Sequence, residues 1–291
     1  MADIAHAFTA ACHAELLGLK PGNVHVHAEG HGMTTRDFLR SAEVSAPEIA
    51  RAGASVGERV LGAMRATWDA VGCNTNLGIL LLAAPLAAAA ERAGLGGEGG
   101  GGRGGLQAEV RRVLAELTVA DAEAVFEAIR IASPAGLGEA PEHDVRGAAR
   151  VTLLDAMVAA KGRDRIAAQY ANGYADLFTV GVARARALHA AEVEPGAMAE
   201  SVFLEFLTAF EDSHVARKFG DAAAMELVLR SRSKKTSVES TDCKFEKRRL
   251  LAEWDRELKQ MGINPGTSAD LTVNSLFALW LEVTIPPVSA W

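Results

Sequence analysis

Between Leu77 and Ala90 the chain runs for about 14 residues, LGILLLAAPLAAAA, without a charged side chain. A helix that is apolar on every face has to be buried. This run is too short to span a membrane, which takes about 20 residues. It is therefore expected to be an internal helix with other helices wrapped around it. Pro85 is expected to kink that helix or to begin a new one, because proline lacks the N–H and its ring crowds the preceding turn. The rest of the chain offers helices and almost no strands. It holds two tyrosines and few β-branched runs at period two, so a sheet has little to be built from.

Apolar residues recur at helical spacing along the whole sequence. Ile4, Phe8 and Ala11 mark residues 3–17, and Phe38, Ala42, Ile49, Val56, Val60 and Met64 mark 37–66, which Pro47 divides or restarts. Thr118 is placed to cap a helix over 121–131, and further helices are expected near 150–160 and 180–194. Val202, Phe203, Phe206 and Phe210 make 198–210 strongly amphipathic. A helix over 221–230 is expected to lead into a basic, Ser/Thr-rich loop, RSRSKKTSVESTD, followed by a helix over 244–261. Thr267 and Asp270 fit a capping box opening a last helix over 268–283. Tyr170, Tyr174 and Phe178 form a stripe read as packing. The expected fold is all-α: one globular multi-helix bundle over 1–291, with a polar cleft formed by inter-helix loops. Residues 94–105, GLGGEGGGGRGG, lack the closing GK[ST] of a phosphate loop and read as a flexible surface segment.

Composition narrows the function classes. The chain is 49% hydrophobic with a net charge of −7 and no long basic block, which argues against nucleic-acid binding. No membrane segment and no signal-peptide pattern at MADIAHAF are seen. Three widely spaced cysteines, Cys12, Cys73 and Cys243, read as free thiols in a reducing cytoplasm. A homo-oligomeric state is left open.

Four polar islands interrupt the apolar helices: KPGNVHVHAEGH, GCNTNLG, EDSHVARKFG and NPGTSAD. A bundle can gather such loops at one end. Carboxylates and amide oxygens suit Mg²⁺, while Lys, Arg and helix N-termini suit phosphate. Asp37, Asp212 and Asp270 are the metal candidates, each with the alternative of a helix cap. A zinc site using His25 and His27 is a weaker option. Lys20, beside the Pro21-Gly22 break, and Arg217 are phosphate candidates. Asn74 and Thr75 precede the apolar helix, where caps and free amides are expected.

These islands carry a resemblance to the triphosphoribosyl-dephospho-coenzyme A synthases. The matching pieces are KPGNVH with the downstream GH and FLRSA, then GCNTNLGILLL, DSHVARKFG, and WDREL followed by NPGTSADL, in family order from about Cys12 to Leu281. The family's Lys-Pro-Gly falls on Lys20, Pro21 and Gly22, and its Asn-Thr on Asn74 and Thr75. Its following His-Lys becomes Asn76 and Leu77, and an aspartate of the family becomes His25. The family's acidic-arginine stretch falls on Glu211 to Lys218, and its Ser-Ala-Asp on Ser268, Ala269 and Asp270. The resemblance implies an all-helical, Mg²⁺-dependent transferase of cofactor biosynthesis with ATP as substrate and a small phosphorylated acceptor. A ribose hydroxyl attacks C1′ of the ATP ribose and adenine leaves. Catalytic roles then fall to His25, Asp212 and His214; substrate contacts to Lys20, Gly22, Asn74, Thr75, Arg217 and Ser268; and the metal to Asp37, Asp212 and Asp270. The departures look closer to a branch found in archaea and in bacteria with archaeal-type one-carbon cofactors. The alternatives are a pterin or furan acceptor, a nucleotide or phosphate-ester hydrolase, and a non-catalytic cofactor-binding or assembly protein.

Overall fold

The structure, a computed structural model, describes residues 2–95, 105–133 and 143–283. Most of the glycine-rich segment expected to be flexible, residues 134–142 and the tail from residue 284 lie outside them. The helices are α1 (Ala2–Leu17), α2 (Thr35–Ile49), α3 (Val56–Val71), α4 (Leu77–Ala93), α5 (Leu106–Ala115), α6 (Val119–Ala132) and α7 (Leu153–Ala160). They continue with α8 (Arg165–Asn172), α9 (Ala183–Ala190), α10 (Pro195–Ala209), α11 (Ser213–Phe219), α12 (Asp221–Glu239), α13 (Lys244–Gln260) and α14 (Gly266–Trp280). A wider-wound helical segment, Leu177–Val182, leads into α9. Among the described residues the only β-like pairings are isolated bridges at His25–Ala28 and Gly30–Met33. No described helix is long and apolar enough to cross a membrane.

The uncharged run forms α4, buried from Leu77 to Ala87 except for the glycine at 78. Leu80, Leu82 and Leu86 are fully enclosed, each worth about 1.5–3 kcal/mol of burial. Pro85 stays inside one continuous helix. Its missing N–H orphans the Leu81 carbonyl, and the Tyr170 hydroxyl donates to that oxygen at 2.6 Å. Tyr174 donates to the next carbonyl, Leu82, at 3.1 Å. The aromatic stripe is thus packing with a polar tip aimed at a helix defect.

α14 is the second central helix, packed on α1, α4 and α10. Its internal polar groups turn back on the backbone: Thr272 donates to Ser268 O and Ser275 to Leu271 O, each at 2.8 Å. Asn274 donates to Ile79 O at 3.2 Å, tying α14 to the first turn of α4. A smaller core, with Phe203, Leu207, Val215, Leu227, Trp254 and Leu258, sits among α10 to α13.

Three local expectations change. The 37–66 stretch is divided, but not at Pro47, which lies inside the last turn of α2; the second helix begins at its own capping box, Ser55 with Glu58. The basic segment after 230 is not a loop: α12 continues to Glu239, with Arg230 and Lys234 paired to Glu257 of α13 and Lys235 to Glu205 of α10. Thr267 and Asp270 form no capping box, because α14 starts at Gly266 and Thr267 already lies within it. The expected Thr118 cap is present as a complete capping box with Asp121.

The loop after α1 is fixed from within. Lys20 is fully buried and ion-paired to Glu15; it also donates to Asn23 Oδ1 at 3.0 Å and Val24 O at 2.8 Å. Burial pushes Glu15 up and Lys20 down in pKa, each opposed by the other's charge. Removing one partner of such a pair strands the other. Lys20→Met is therefore expected to lower the unfolding free energy by about 3–5 kcal/mol, read from urea denaturation. A loss near zero would show that Glu15 accepts protonation without cost.

Candidate functional site

Helix ends converge on one cleft of about 540 Å³, within the range of small-molecule sites. Its polar side is built from Glu15, Asn23 and His31, the first turn of α4 with Asn74 to Ile79, His214, Arg217 and Lys218 of α11, and Asn264, Gly266, Thr267 and Asp270 at the start of α14. Of the expected residues, Asn74, Thr75, His214, Arg217 and Asp270 line it. Lys20, Gly22, His25, Asp37, Asp212 and Ser268 do not, and each has a different task.

Asp212 is 2% exposed, and the protein occupies both of its oxygens. Oδ1 accepts the amides of His214 at 2.9 Å and Val215 at 3.2 Å, capping α11. Oδ2 accepts the Ser268 amide and hydroxyl, each at 2.8 Å. The carboxylate joins the starts of two helices with four donors on its two oxygens, the helix-cap alternative to the expected metal ligand. Ser268, expected as a substrate contact, is its partner here and lies outside the cleft lining.

His25 is 1% exposed and does not line the cleft. Its Nδ1 accepts the His27 amide at 3.2 Å, so the neutral ring carries its proton on Nε2, 3.3 Å from Asp255 Oδ1. Burial lowers its pKa below the ordinary 6.5, opposed by Asp255. Asp255, from the WDREL motif, also accepts the Gly22 amide at 2.9 Å and Lys259 Nζ at 3.0 Å. Gly22 has φ +85°, and a Cβ there would meet Ile263 O at 2.9 Å, so this turn requires glycine. The KPG and histidine residues therefore form a scaffold that presents Asn23 and His31 to the cleft. Asn23 is held by its donation to Asn264 Oδ1 at 2.8 Å, and His31 Nε2 lies 2.8 Å from Gly22 O. Asp37 completes the capping box of α2 with Thr34, the alternative weighed for it above.

The lining residues are organised by similar ties. Asn74 Oδ1 accepts the Leu77 amide at 3.1 Å, and the Thr75 hydroxyl donates to Ser41 at 2.6 Å. Asn76 donates to Thr67 at 3.1 Å, while its buried Oδ1 has no partner. Asp164 caps α8 and holds Arg217 at 2.5 Å. Two orphan donors of α4, the Gly78 and Ile79 amides, and the Thr267 amide of α14 make no hydrogen bond among the described residues. Free amides at helix starts form an anion site.

Asp270 stands apart. Its carboxylate lies over Gly78, where any Cβ would overlap it, and it has no hydrogen-bond partner among the described residues. Burial, then the charges of Asp212 and Glu15, push its pKa well above the ordinary 3.8, with Arg217 opposing. Among the described residues, the His214 ring has no hydrogen-bond partner. Burial lowers its pKa below 6.5, opposed by Asp212 and reinforced by Arg217 and Lys218. Sequence reasoning missed Glu15, Asn23, Asp164, Asp255, Asn264 and Thr267. The KPGNVH, WDREL and NPGTSADL motifs held the signal for Asn23, Asp255, Asn264 and Thr267; Glu15 and Asp164 lie at helix ends with no local signature.

The family model for CitG, ATP:dephospho-CoA triphosphoribosyl transferase, matches residues 1–287. Among solved structures, the chain is similar to a protein from Archaeoglobus fulgidus inferred to be a triphosphoribosyl-dephospho-CoA synthase. That likeness has a TM-score of 0.63 at 24% identity and covers 84% of this chain and 99% of the other; it supports the fold. Comparison with curated proteins finds no match.

The four bonds to Asp212 yield a prediction. An asparagine supplies one acceptor oxygen and turns an NH₂ toward existing donors. Asp212→Asn is expected to lower the unfolding free energy by about 1–3 kcal/mol or more, measured by urea or thermal denaturation. Unchanged stability with lost turnover would return Asp212 to the chemistry.

Proposed function

Because the chain belongs to the ATP:dephospho-CoA triphosphoribosyl transferase family, a transferase of cofactor biosynthesis, we propose that its cleft binds the triphosphate of ATP across the starts of α4 and α14. Arg217, Lys218 and the Gly78, Ile79 and Thr267 amides face that phosphate chain. The observation that carries this reading is the unpartnered Asp270 carboxylate beside three unpartnered helix-start amides, in a cleft whose other polar groups are mostly satisfied.

The donor chemistry tests a divalent cation. Among the described residues no group of three or more His, Cys, Asp or Glu side chains is placed to hold a metal. Mg²⁺ does not need one, because it commonly binds through one or two carboxylates, waters and substrate phosphates. Asp270 and the orphaned Asn76 Oδ1 are hard oxygen donors of the right kind. They would hold Mg²⁺, which supplies charge neutralisation of the phosphates.

In the transfer, an acceptor hydroxyl forms a bond to C1′ of the ribose and the bond to adenine breaks. His214 takes the hydroxyl proton, since burial keeps its ring neutral near pH 7. Asn74 and Thr75 position the substrate. The family's lysine position is Leu77, so this cleft has one fewer cation for phosphate.

Incubation with ATP and Mg²⁺, with and without dephospho-CoA, tests the proposal. Adenine release that requires dephospho-CoA supports it; release without acceptor indicates a hydrolase; no release with dephospho-CoA overturns the assigned acceptor. Asp270→Asn is expected to reduce turnover by about 10²-fold or more with folding retained. It should also abolish the rise in Mg²⁺ affinity with pH that follows from a carboxyl that must first lose its proton. Equal Mg²⁺ affinity in both proteins would remove Asp270 from cation binding.

The pH profile addresses His214. A general base with a lowered pKa loses activity only when pH falls below 6.5, so the acid limb of kcat/KM is expected there. His214→Gln is expected to remove that limb and slow turnover by about 10²–10⁴-fold. The profile is read with Mg²⁺ saturating at every pH, so that protonation of Asp270 adds no limb of its own; a limb that then survives the substitution would move the base elsewhere.

A further inference from the structure

The cleft has two chemically different sides. Besides the helix-start amides, the cleft is lined by Phe38 of α2, Trp68 of α3, Ile129 and Ala132 of α6, and Met33 from the loop before α2. Trp68 is 37% exposed, whereas Trp254 and Trp280 are 1% and 3% exposed. The buried face of α3 is already filled by Val60, Ala63, Met64 and Thr67. Trp68 therefore leaves a large indole on a cleft wall without a packing role that demands it. Exposed aromatic surface in a pocket, next to polar groups that fix orientation, is the ordinary make-up of a ring-binding site.

We propose that Trp68, flanked by Phe38 and Met33, is the platform on which a planar purine ring of the substrate lies. The placement rests on reading the polar side as the triphosphate site. Thr67 Oγ1 accepts the Asn76 amide at 3.1 Å, so the turn of α3 bearing Trp68 is tied directly to the start of α4. Ring platform and anion site are then held in register by one hydrogen bond. Both ATP and dephospho-CoA carry adenine, and stacking recognises either.

Tryptophan emission of the full chain is titrated with ATP, dephospho-CoA and inorganic tripolyphosphate, with calorimetry in parallel. Ligands with the ring are expected to quench Trp68. Tripolyphosphate is expected to bind without quenching. Trp68→Leu is expected to weaken whichever adenine ligand uses the platform by about tenfold or more and to leave tripolyphosphate unchanged. Trp68→Phe keeps a ring, so it should retain affinity while losing the fluorescence response. The separate arms identify which substrate's adenine is involved. Adenine affinities within about twofold of wild type in Trp68→Leu, with tripolyphosphate still bound, would overturn the platform alone. If neither tripolyphosphate nor any adenine ligand binds the wild-type protein, the triphosphate reading and the platform both fall.

Discussion

The Asp212 carboxylate is the constraint on which the cleft depends. A buried charge survives only with its lone pairs satisfied, and here two amides of α11 and two donors of Ser268 do so. The same four bonds set α11 against α14. His214, Arg217 and Thr267 inherit their positions from that junction, and Thr267 Oγ1 adds a contact to the His214 amide at 3.2 Å. With Asp212 fully engaged, Asp270 is, among the described residues, the acidic group lining the cleft without a hydrogen-bond partner.

A second level of support comes from the loop after α1. The Lys20–Glu15 pair, the Asp255 hub and the Asn23–Asn264 bond fasten it to α1, α13 and the turn before α14. Charged residues that look like ligands in a sequence are here spent on fixing backbone. Residues with little chemical colour, such as Gly78 and Thr267, supply the bare amides, because a helix start provides those through geometry and not through side-chain type.

The fold was legible because its signals are periodic and local: the uncharged run of α4, the amphipathic α10, the Thr118 cap. The location of the cleft was legible for a similar reason, since polar islands next to apolar helices have to collect somewhere. Individual roles were not. Asp212 and Asp270 look alike in sequence, and only the packing of α11 on α14 decides which of them is saturated. Lys20 and His25 likewise depend on Glu15, five residues upstream across a turn, and on Asp255, more than two hundred residues away. The length of α12 was hidden because Lys234 and Lys235 read as a solvated run until their partners on α13 and α10 are known.

The Tyr170 hydroxyl has a consequence beyond the bond it makes. It repairs a defect that exists only because residue 85 is proline, and it is buried where water cannot take its place. Either change alone leaves a polar atom stranded: phenylalanine at 170 abandons the Leu81 carbonyl, and alanine at 85 makes the hydroxyl compete with a new amide. The two positions, far apart in the chain, are therefore expected to vary together among relatives. A lineage that lost the proline would be released to lose the phenol as well.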